Sequence, residues 1–345
     1  MDYSNFKNPI GLLKRMLLSG NRVAYFVLFR EFLVKLMLPM DYLLSFVEKK
    51  KLRKTRPASE KPLILILGGS RSGTTLLYQV FVRYLPVGYI SNFIALFPRS
   101  PISAYALFRR MLPKADADFK NYFGSAAGLS GPNDAFGIWN RWFGEDRNRV
   151  PDTIPDASKR DVKRFFDTWF AVTEKPFVNK NNRNSLHASL FDKLFENSFF
   201  VEIHRNPIYV VQSLILSRRT VQGSDKIGWG LLADDSKQAA DPLGYIDDIC
   251  EQVYRVDQVI ARERAKIDPE KYIRIAYKEF CRNPAGLVIE VARRTHQEVR
   301  DLDALSALTF STASNGKRLG DDEFERICQC VERLYGNQRY PINAH

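Results

Sequence analysis

Cysteine is scarce in this chain of 345 residues and comes late, at Cys250, Cys281, Cys328 and Cys330. Four such thiols make no disulfide framework and no C-x-x-C metal pair. Cys328-Gln-Cys330 reads as a C-x-C on a helix, with core or surface thiols, and the pattern fits a reducing compartment. Long apolar runs are also missing. The stretch VAYFVLF at 23–29 stops at Arg30 and Glu31, and the apolar residues after it are broken by Lys35 and Asp41. No uncharged run approaches the ~20 residues of a membrane span. The clean apolar core and small-residue cleavage site of a secretory signal are missing as well. There is no internal repeat and no low-complexity tract. Carboxylates are outnumbered, 39 against 52 lysines and arginines, which leaves a formal charge of +13. That excess predicts an anionic partner: a nucleotide, an acidic substrate, nucleic acid or a membrane surface. No stacking platform or nucleic-acid motif is visible, so nucleic acid is set aside.

The most informative stretch is LILILGGSRSGTTLLYQV at 63–80. An apolar strand ends in a glycine pair, a Ser-Arg-Ser-Gly-Thr-Thr turn follows, and a helix opens. Glycines let successive N–H groups converge on an oxyanion, and the helix start adds the positive end of its dipole. The nucleotide P-loop reads G-x-x-x-x-G-K-[ST]. Gly68 and Gly73 hold that spacing, but Thr74 stands where the lysine belongs. The cation has moved to Arg71, whose planar fork suits a tetrahedral oxyanion. Ser70, Ser72, Gly73, Thr74 and Thr75 complete the candidate cradle. The missing lysine points away from ordinary ATP chemistry, and no strand ends in an obvious metal-binding aspartate, so no metal site is expected.

Before this loop, Leu12, Leu13, Met16 and Leu17 recur at helical spacing, and the basic run KKKLRK closes the segment at 49–54. Two readings stand side by side: amphipathic helices packed on the main body, or a peripheral membrane contact through residues 1–56. KTRPASEK at 54–61 reads as a linker.

Further along, PFVNK at 176–180 and FFVEIH at 199–204 read as strands, and SLHASLFDKLF at 185–195 as a helix with Leu186, Leu190 and Leu194 on one face. Alternating strands and helices predict an α/β fold with a central parallel sheet flanked by helices on both faces. The second strand runs into Arg205-Asn206-Pro207. Asparagine caps helices and proline favours their first turn, so a helix is well specified there. Arg205 falls at a strand's carboxyl end, where open sheets place ligands. With Ser213 on the following helix, it can hold a second phosphate. Taken alone, an Arg205–carboxylate pair and a packing serine explain the same residues.

Together these pieces resemble the sulfotransferases that use 3′-phosphoadenosine 5′-phosphosulfate, in particular their carbohydrate and bacterial types. GGSRSGTTLL at 68–77 is similar to the family's 5′-phosphosulfate loop, and IHRNPIYVVQSL at 203–214 to its 3′-phosphate element. NKNNRNSLHASLFDKLF at 179–195 resembles the intervening lysine-containing segment, and RIAYKEFCRNP at 274–284 a tyrosine-plus-acid strand end. The likeness spans roughly residues 60 to 285. It departs at Asn206, where the family has aspartate, and at Tyr277-Lys278-Glu279, where it has Tyr-Glu-Asp. NGKRL at 315–319 is a faint counterpart of a late Arg-Lys-Gly clamp, through Lys317 or Arg318.

The resemblance implies a P-loop-like three-layer fold over residues 57–320, with an N-terminal helical extension at 1–56 and a C-terminal helix and tail at 321–345. It implies the phosphosulfate as co-substrate, no metal, and in-line attack of an acceptor hydroxyl on sulfur. Arg71, Ser72, Gly73, Thr74 and Thr75 would hold the 5′ end, Arg205 and Ser213 the 3′-phosphate, and Lys180 would be a further cation near the sulfuryl group. For the general base, Asp134 in the aromatic insert GPNDAFGIWNRW comes first, with Glu145 and His187 as alternatives, while His204 packs beside the strand end. Trp139, Trp142 and Trp229 suggest either an aromatic-lined cleft or core. A carbohydrate or glycolipid hydroxyl is the expected acceptor, in the cytoplasm or at a membrane's edge. A P-loop kinase or NTPase, and a non-catalytic nucleotide- or membrane-binding module, are the competing readings.

Overall fold

The computed structural model describes residues 7–54, 61–111, 119–146, 148–149, 151, 154–237, 241–312 and 315–336. Most of the expected linker, residues 55–60, lies outside the described residues, as does the tail beyond 336.

Two helices come first. α1 (Pro9–Leu18) is opened by Asn8, whose side chain accepts from the Gly11 N–H at 2.7 Å. α2 (Arg22–Lys54) runs for 33 residues, through Pro39. Then β1 (Leu63–Leu67) enters the interior and is buried along its whole length. Leu63, Leu65 and Leu67 point into one core with Trp139, Phe166 and Trp169. Ile64 and Ile66 point into another with Leu77, Phe81 and Val291. A strand covered on both faces needs an unbroken apolar run, and LILIL supplies it.

The chain continues through α3 (Thr74–Tyr84), α4 (Pro101–Phe108) and a small antiparallel hairpin, β2 (Asn121–Tyr122) and β3 (Ser125–Ala126). Next come α5 (Phe136–Phe143), α6 (Asp156–Thr173), β4 (Phe177–Lys180), α7 (Ala188–Leu194), β5 (Ser198–His204), α8 (Pro207–Val221) and α9 (Gly244–Arg264). β6 (Tyr272–Ala276), α10 (Tyr277–Arg282), α11 (Pro284–Arg294), α12 (Leu302–Ser306) and α13 (Asp321–Tyr335) complete it. The strands lie in the order β4-β1-β5-β6, all parallel, with Leu63 opposite Phe177 on one side and Ser198 on the other. α5, α6 and α7 cover one face, while α3 and α11 cover the other. The expected α/β class with a helix-flanked parallel sheet is therefore what forms.

Two elements differ from expectation. The helix expected over 185–195 starts only at Ala188, because residues Asn182–His187 wind as a tight 3-10 segment. Leu186 consequently leaves the face shared by Leu190 and Leu194 and joins Leu231, Val256 and Ile260. The second is α2, which is not amphipathic in the ordinary sense. Three of its polar residues, Asp41, Ser45 and Glu48, are buried. The cause is the start of α4. Glu48 accepts from the N–H groups of Ile102 and Ser103 at 3.2 and 2.7 Å, and Asp41 accepts from the Arg99 N–H and the Ser100 hydroxyl. A helix N-terminus leaves donors unpaired and favours negative charge, so two carboxylates sent in from α2 satisfy it. Among the described residues no helix is long and apolar enough to cross a membrane.

Candidate active site

β1 passes into a turn that needs glycine at both ends. Gly68 has φ 148° and Gly73 φ 106°. A Cβ at Gly68 would stand 2.6 Å from the Ile203 carbonyl oxygen, and one at Gly73 2.4 Å from Cδ2 of Tyr277. Between them Arg71 adopts φ 70°, a left-handed conformation that a non-glycine residue keeps only where its surroundings impose it. Those surroundings are specific. Arg71 Nε donates to Ser213 Oγ on α8 at 2.9 Å, and the Arg71 carbonyl accepts from Arg205 Nη1 at 3.2 Å. The Arg71 guanidinium also lies over the Phe123 ring, 5.4 Å from its centre.

The turn is braced from behind by the 3-10 segment. Asn182 Nδ2 donates to the carbonyls of Gly68 and Gly69 at 2.7 and 3.0 Å, and Ser185 Oγ accepts from the Gly68 N–H at 3.0 Å. The Ser72 hydroxyl turns inward to the Gly69 carbonyl, so this expected ligand-binding side chain braces the loop and does not line the cleft. Among the described residues no side chain caps α3, whose N-cap is Gly73. Its uncapped start opens onto a cleft of about 500 Å³. Ser70, Arg71, Gly73, Thr74 and Thr75 all line that cleft, as do Asp134, Lys180, Arg205 and Ser213.

The second element forms as its local chemistry predicts. Asn206 Oδ1 accepts from the Ile208 N–H at 3.0 Å and Pro207 takes the first helical position. This starts α8 immediately after β5 and leaves Arg205 at the strand's end. Arg205 Nε donates to Asn315 Oδ1 at 2.8 Å, and its guanidinium lies over Tyr277, 5.0 Å from the ring centre. Arg318 completes a trio of cleft-lining guanidiniums, with its N–H held by Gln212 Oε1 at 2.7 Å. Lys317 instead pairs with Asp321. Burial pulls the Arg71 guanidinium down to about 10, with Arg205 and Arg318 adding to the effect, and burial lowers Arg205 as well. Three guanidiniums and one ammonium thus share a cleft in which, among the described residues, Asp134 is the lining carboxylate. Such a site is built for a ligand with more than one negative group.

Lys180 ends β4 and is only 1% exposed. Its ammonium meets the Asp134 carboxylate at 2.6 Å. Asp134 is fixed on its other sides too: Asn181 Nδ2 donates to its carbonyl at 3.1 Å, and Ala135 after it is forced to φ 59°. The insert carrying Asp134 is anchored by Trp139 Nε1 to Asn179 Oδ1 at 2.9 Å and by Arg183 to the carbonyls of Gly144 and Asp146.

The alternative bases fare differently. Glu145 is exposed and lies outside the cleft lining. His187 packs against Phe143 and Phe191, both its ring nitrogens are buried with no hydrogen-bond partner among the described residues, and burial pulls it down to about 3. Trp139 and Trp142 are core residues, while Trp229 lines the cleft with Phe119, Phe123 and Phe310. The β2–β3 hairpin wall and the brace by Asn182 and Ser185 were not anticipated. The hairpin carries no sequence signal; the one signal of the brace is the polar run NNRNS at 181–185, directly after a buried strand.

The profile of the sulfotransferase family matches residues 62–301. No curated protein matches the chain. Among solved structures, sulfotransferase STF9 from Mycobacterium avium is similar with a TM-score of 0.56 at 15% identity, over 86% of this chain and 79% of that one. Sulfotransferase STF1 from Mycobacterium tuberculosis is similar with a TM-score of 0.53 at 16% identity, over 93% and 91%. These likenesses support the fold.

Proposed function

The chain belongs to the sulfotransferase family, and from this premise we propose that it transfers a sulfuryl group from 3′-phosphoadenosine 5′-phosphosulfate to a hydroxyl of a carbohydrate or glycolipid. One observation carries the reading: two separate anion-seeking elements, around Arg71 and around Arg205, line a single cleft. A donor with a 5′-phosphosulfate and a 3′-phosphate needs both. The P-loop-like turn, with no lysine at position 74, suits a sulfuryl group, which carries less charge than a γ-phosphoryl group and demands less neutralisation.

In the proposed reaction, Arg71, the α3 N-terminus, Thr74 and Thr75 grip the 5′ end, while Arg205 and Ser213 grip the 3′-phosphate. The acceptor oxygen bonds to sulfur as the bond from sulfur to the bridging phosphate oxygen breaks. The electron pair leaves with the bisphosphate nucleotide, and the acceptor's proton passes to the Asp134 carboxylate. Lys180 neutralises charge on the sulfuryl oxygens, and Arg71 neutralises charge on the leaving phosphate. Trp229 and the phenylalanines of the cleft support a ring-bearing acceptor. The four free cysteines support a reducing, cytoplasmic setting.

Calorimetric titration with 3′,5′-adenosine bisphosphate tests the donor site. Losing one charge-assisted contact weakens binding by about tenfold to a hundredfold, so Arg71→Ala and Arg205→Ala should each do so. Intact binding in both variants would sink the assignment. Labelled sulfate transfer onto a panel of sugars, glycolipids, phenols and steroids then names the acceptor class.

A further inference from the structure

α2 is apolar on both sides. Its inward side packs Leu33, Met37 and Leu44 on the core and also buries Asp41, Ser45 and Glu48. Tyr25, Phe29, Phe32, Leu36, Leu43 and Phe46 recur at steps of three, four and seven residues along the exposed side. Phe32 is 62% and Leu43 66% exposed. This stripe is roughly 30 Å long at 1.5 Å per residue. With ~200 Å² on each large side chain, it leaves on the order of 600 Å² of apolar surface in water, the top of the range for a protein with no partner there. α1 adjoins it: the Tyr25 hydroxyl donates to the Leu17 carbonyl at 3.0 Å, and Leu13 and Leu17 are themselves exposed.

Charge is sorted along the same helix. Of its three carboxylates, Asp41 and Glu48 are buried and Glu31 pairs with Arg30 at 2.9 Å. The stripe's own spacing leads at one end to Arg22 and at the other to Lys50 and Lys54, all three exposed. Two copies packed stripe to stripe would bring cationic ends together in either orientation, which opposes self-association. An anionic lipid surface accepts both the apolar stripe and its basic ends.

We propose that the outward face of α2 docks on an anionic lipid bilayer, with the helix lying in the interface. The docking has a consequence for the cleft. α2 packs on the hairpin that walls it, and Arg30 Nη1 donates to Asn92 Oδ1 at 3.1 Å while Asn92 Nδ2 donates to the Ala126 carbonyl at 3.0 Å. A seated α2 therefore holds the cleft beside the bilayer, within reach of hydroxyls displayed on it. That last step rests on the transfer reading; the docking does not.

Co-sedimentation of the full chain with vesicles, in the absence of donor, separates the two. Wild type should sediment with phosphatidylcholine vesicles containing phosphatidylglycerol and stay in solution with phosphatidylcholine alone. Phe32→Asp with Leu43→Asp should cut the partition by more than about tenfold. Lys50→Gln and Lys54→Gln should each cut it by about fivefold. Circular dichroism and bisphosphate binding verify that the variants remain folded, since the substituted side chains are exposed. Failure to bind either vesicle overturns the proposal, as does binding unchanged in the aspartate variant. A dimer dissolved by the aspartates, with vesicles left unbound, assigns the face to a second copy and overturns it too.

Discussion

Replacing His187 with leucine separates a buried imidazole from a working base. The ring is packed 4.5 Å from the centre of Phe143 and 5.5 Å from that of Phe191, and neither nitrogen has a hydrogen-bond partner among the described residues. Burial lowers it from 6.5 to about 3. A histidine depressed in the folded state takes up its proton only on unfolding. Its stability contribution is therefore whole above about pH 6.5 and drains as pH falls towards 3. Between pH 7 and pH 5 the wild-type loss from this one group is about 2 kcal/mol, at ~1.4 kcal/mol per unit. Leucine has nearly the same volume and no proton to bind. His187→Leu should thus unfold in urea at pH 7 at or above the wild-type midpoint, since an unsatisfied buried polar ring is itself costly. On moving to pH 5 it should lose about 2 kcal/mol less than wild type. Sulfate transfer should continue. Equal losses at pH 5 would mean that the imidazole is already protonated in the fold. A collapse of turnover with stability retained would make His187 the base and displace Asp134.

The Lys180–Asp134 pair offers a cycle: Lys180→Met leaves a carboxylate without its ammonium and should cost about 2–3 kcal/mol of stability, Asp134→Asn in the same chain should recover most of it, and neither variant should recover transfer. Recovered turnover in the double variant would reduce the pair to a structural role. Gly73→Ala drives a Cβ to 2.4 Å from Tyr277 at φ 106°, so a loss of about 1–3 kcal/mol together with weakened bisphosphate binding is expected; a melt and a titration identical to wild type would show that the turn relaxes freely.

What the sequence disclosed follows how local the determining physics is. β1 was legible because a strand buried on both faces favours an unbroken apolar run. β5 was legible because FFV and Ile203 dominate it, although buried Glu202 interrupts the run and is held by Tyr272, Arg264 and Arg274. The start of α8 was legible because Asn206 and Pro207 act within three residues of themselves. Arg71 was legible because a cation inside a glycine turn has few other uses. The interior of α2 was not. Asp41 and Glu48 break the apolar pattern as solvent-facing residues would, yet they reach partners some 54 to 59 positions away on the approach to α4. Trp139 and Trp142 fit a cleft or a core equally well by sequence; the bonds that seat them in the core, from Trp139 Nε1 to Asn179 and from Trp142 Nε1 to Asp161, join segments distant in the chain. The hairpin at 121–126 carries no motif, and only its place beside the turn makes it a wall.

The hydrogen bond from Arg205 to the Arg71 carbonyl has a consequence beyond tying two loops together. The Arg205 guanidinium is fastened to the main chain that carries Arg71, so the two elements are coupled and a shift in one pulls on the other. Tyr277 wedges the setting, with its ring against Gly73 and under Arg205. On the proposed reading the pair acts as a calliper. A nucleotide with anions at both ends of its ribose would close on both jaws, and a triphosphate, with its charge at one end, on one jaw only. The cleft would then sort nucleotides by where their charges sit.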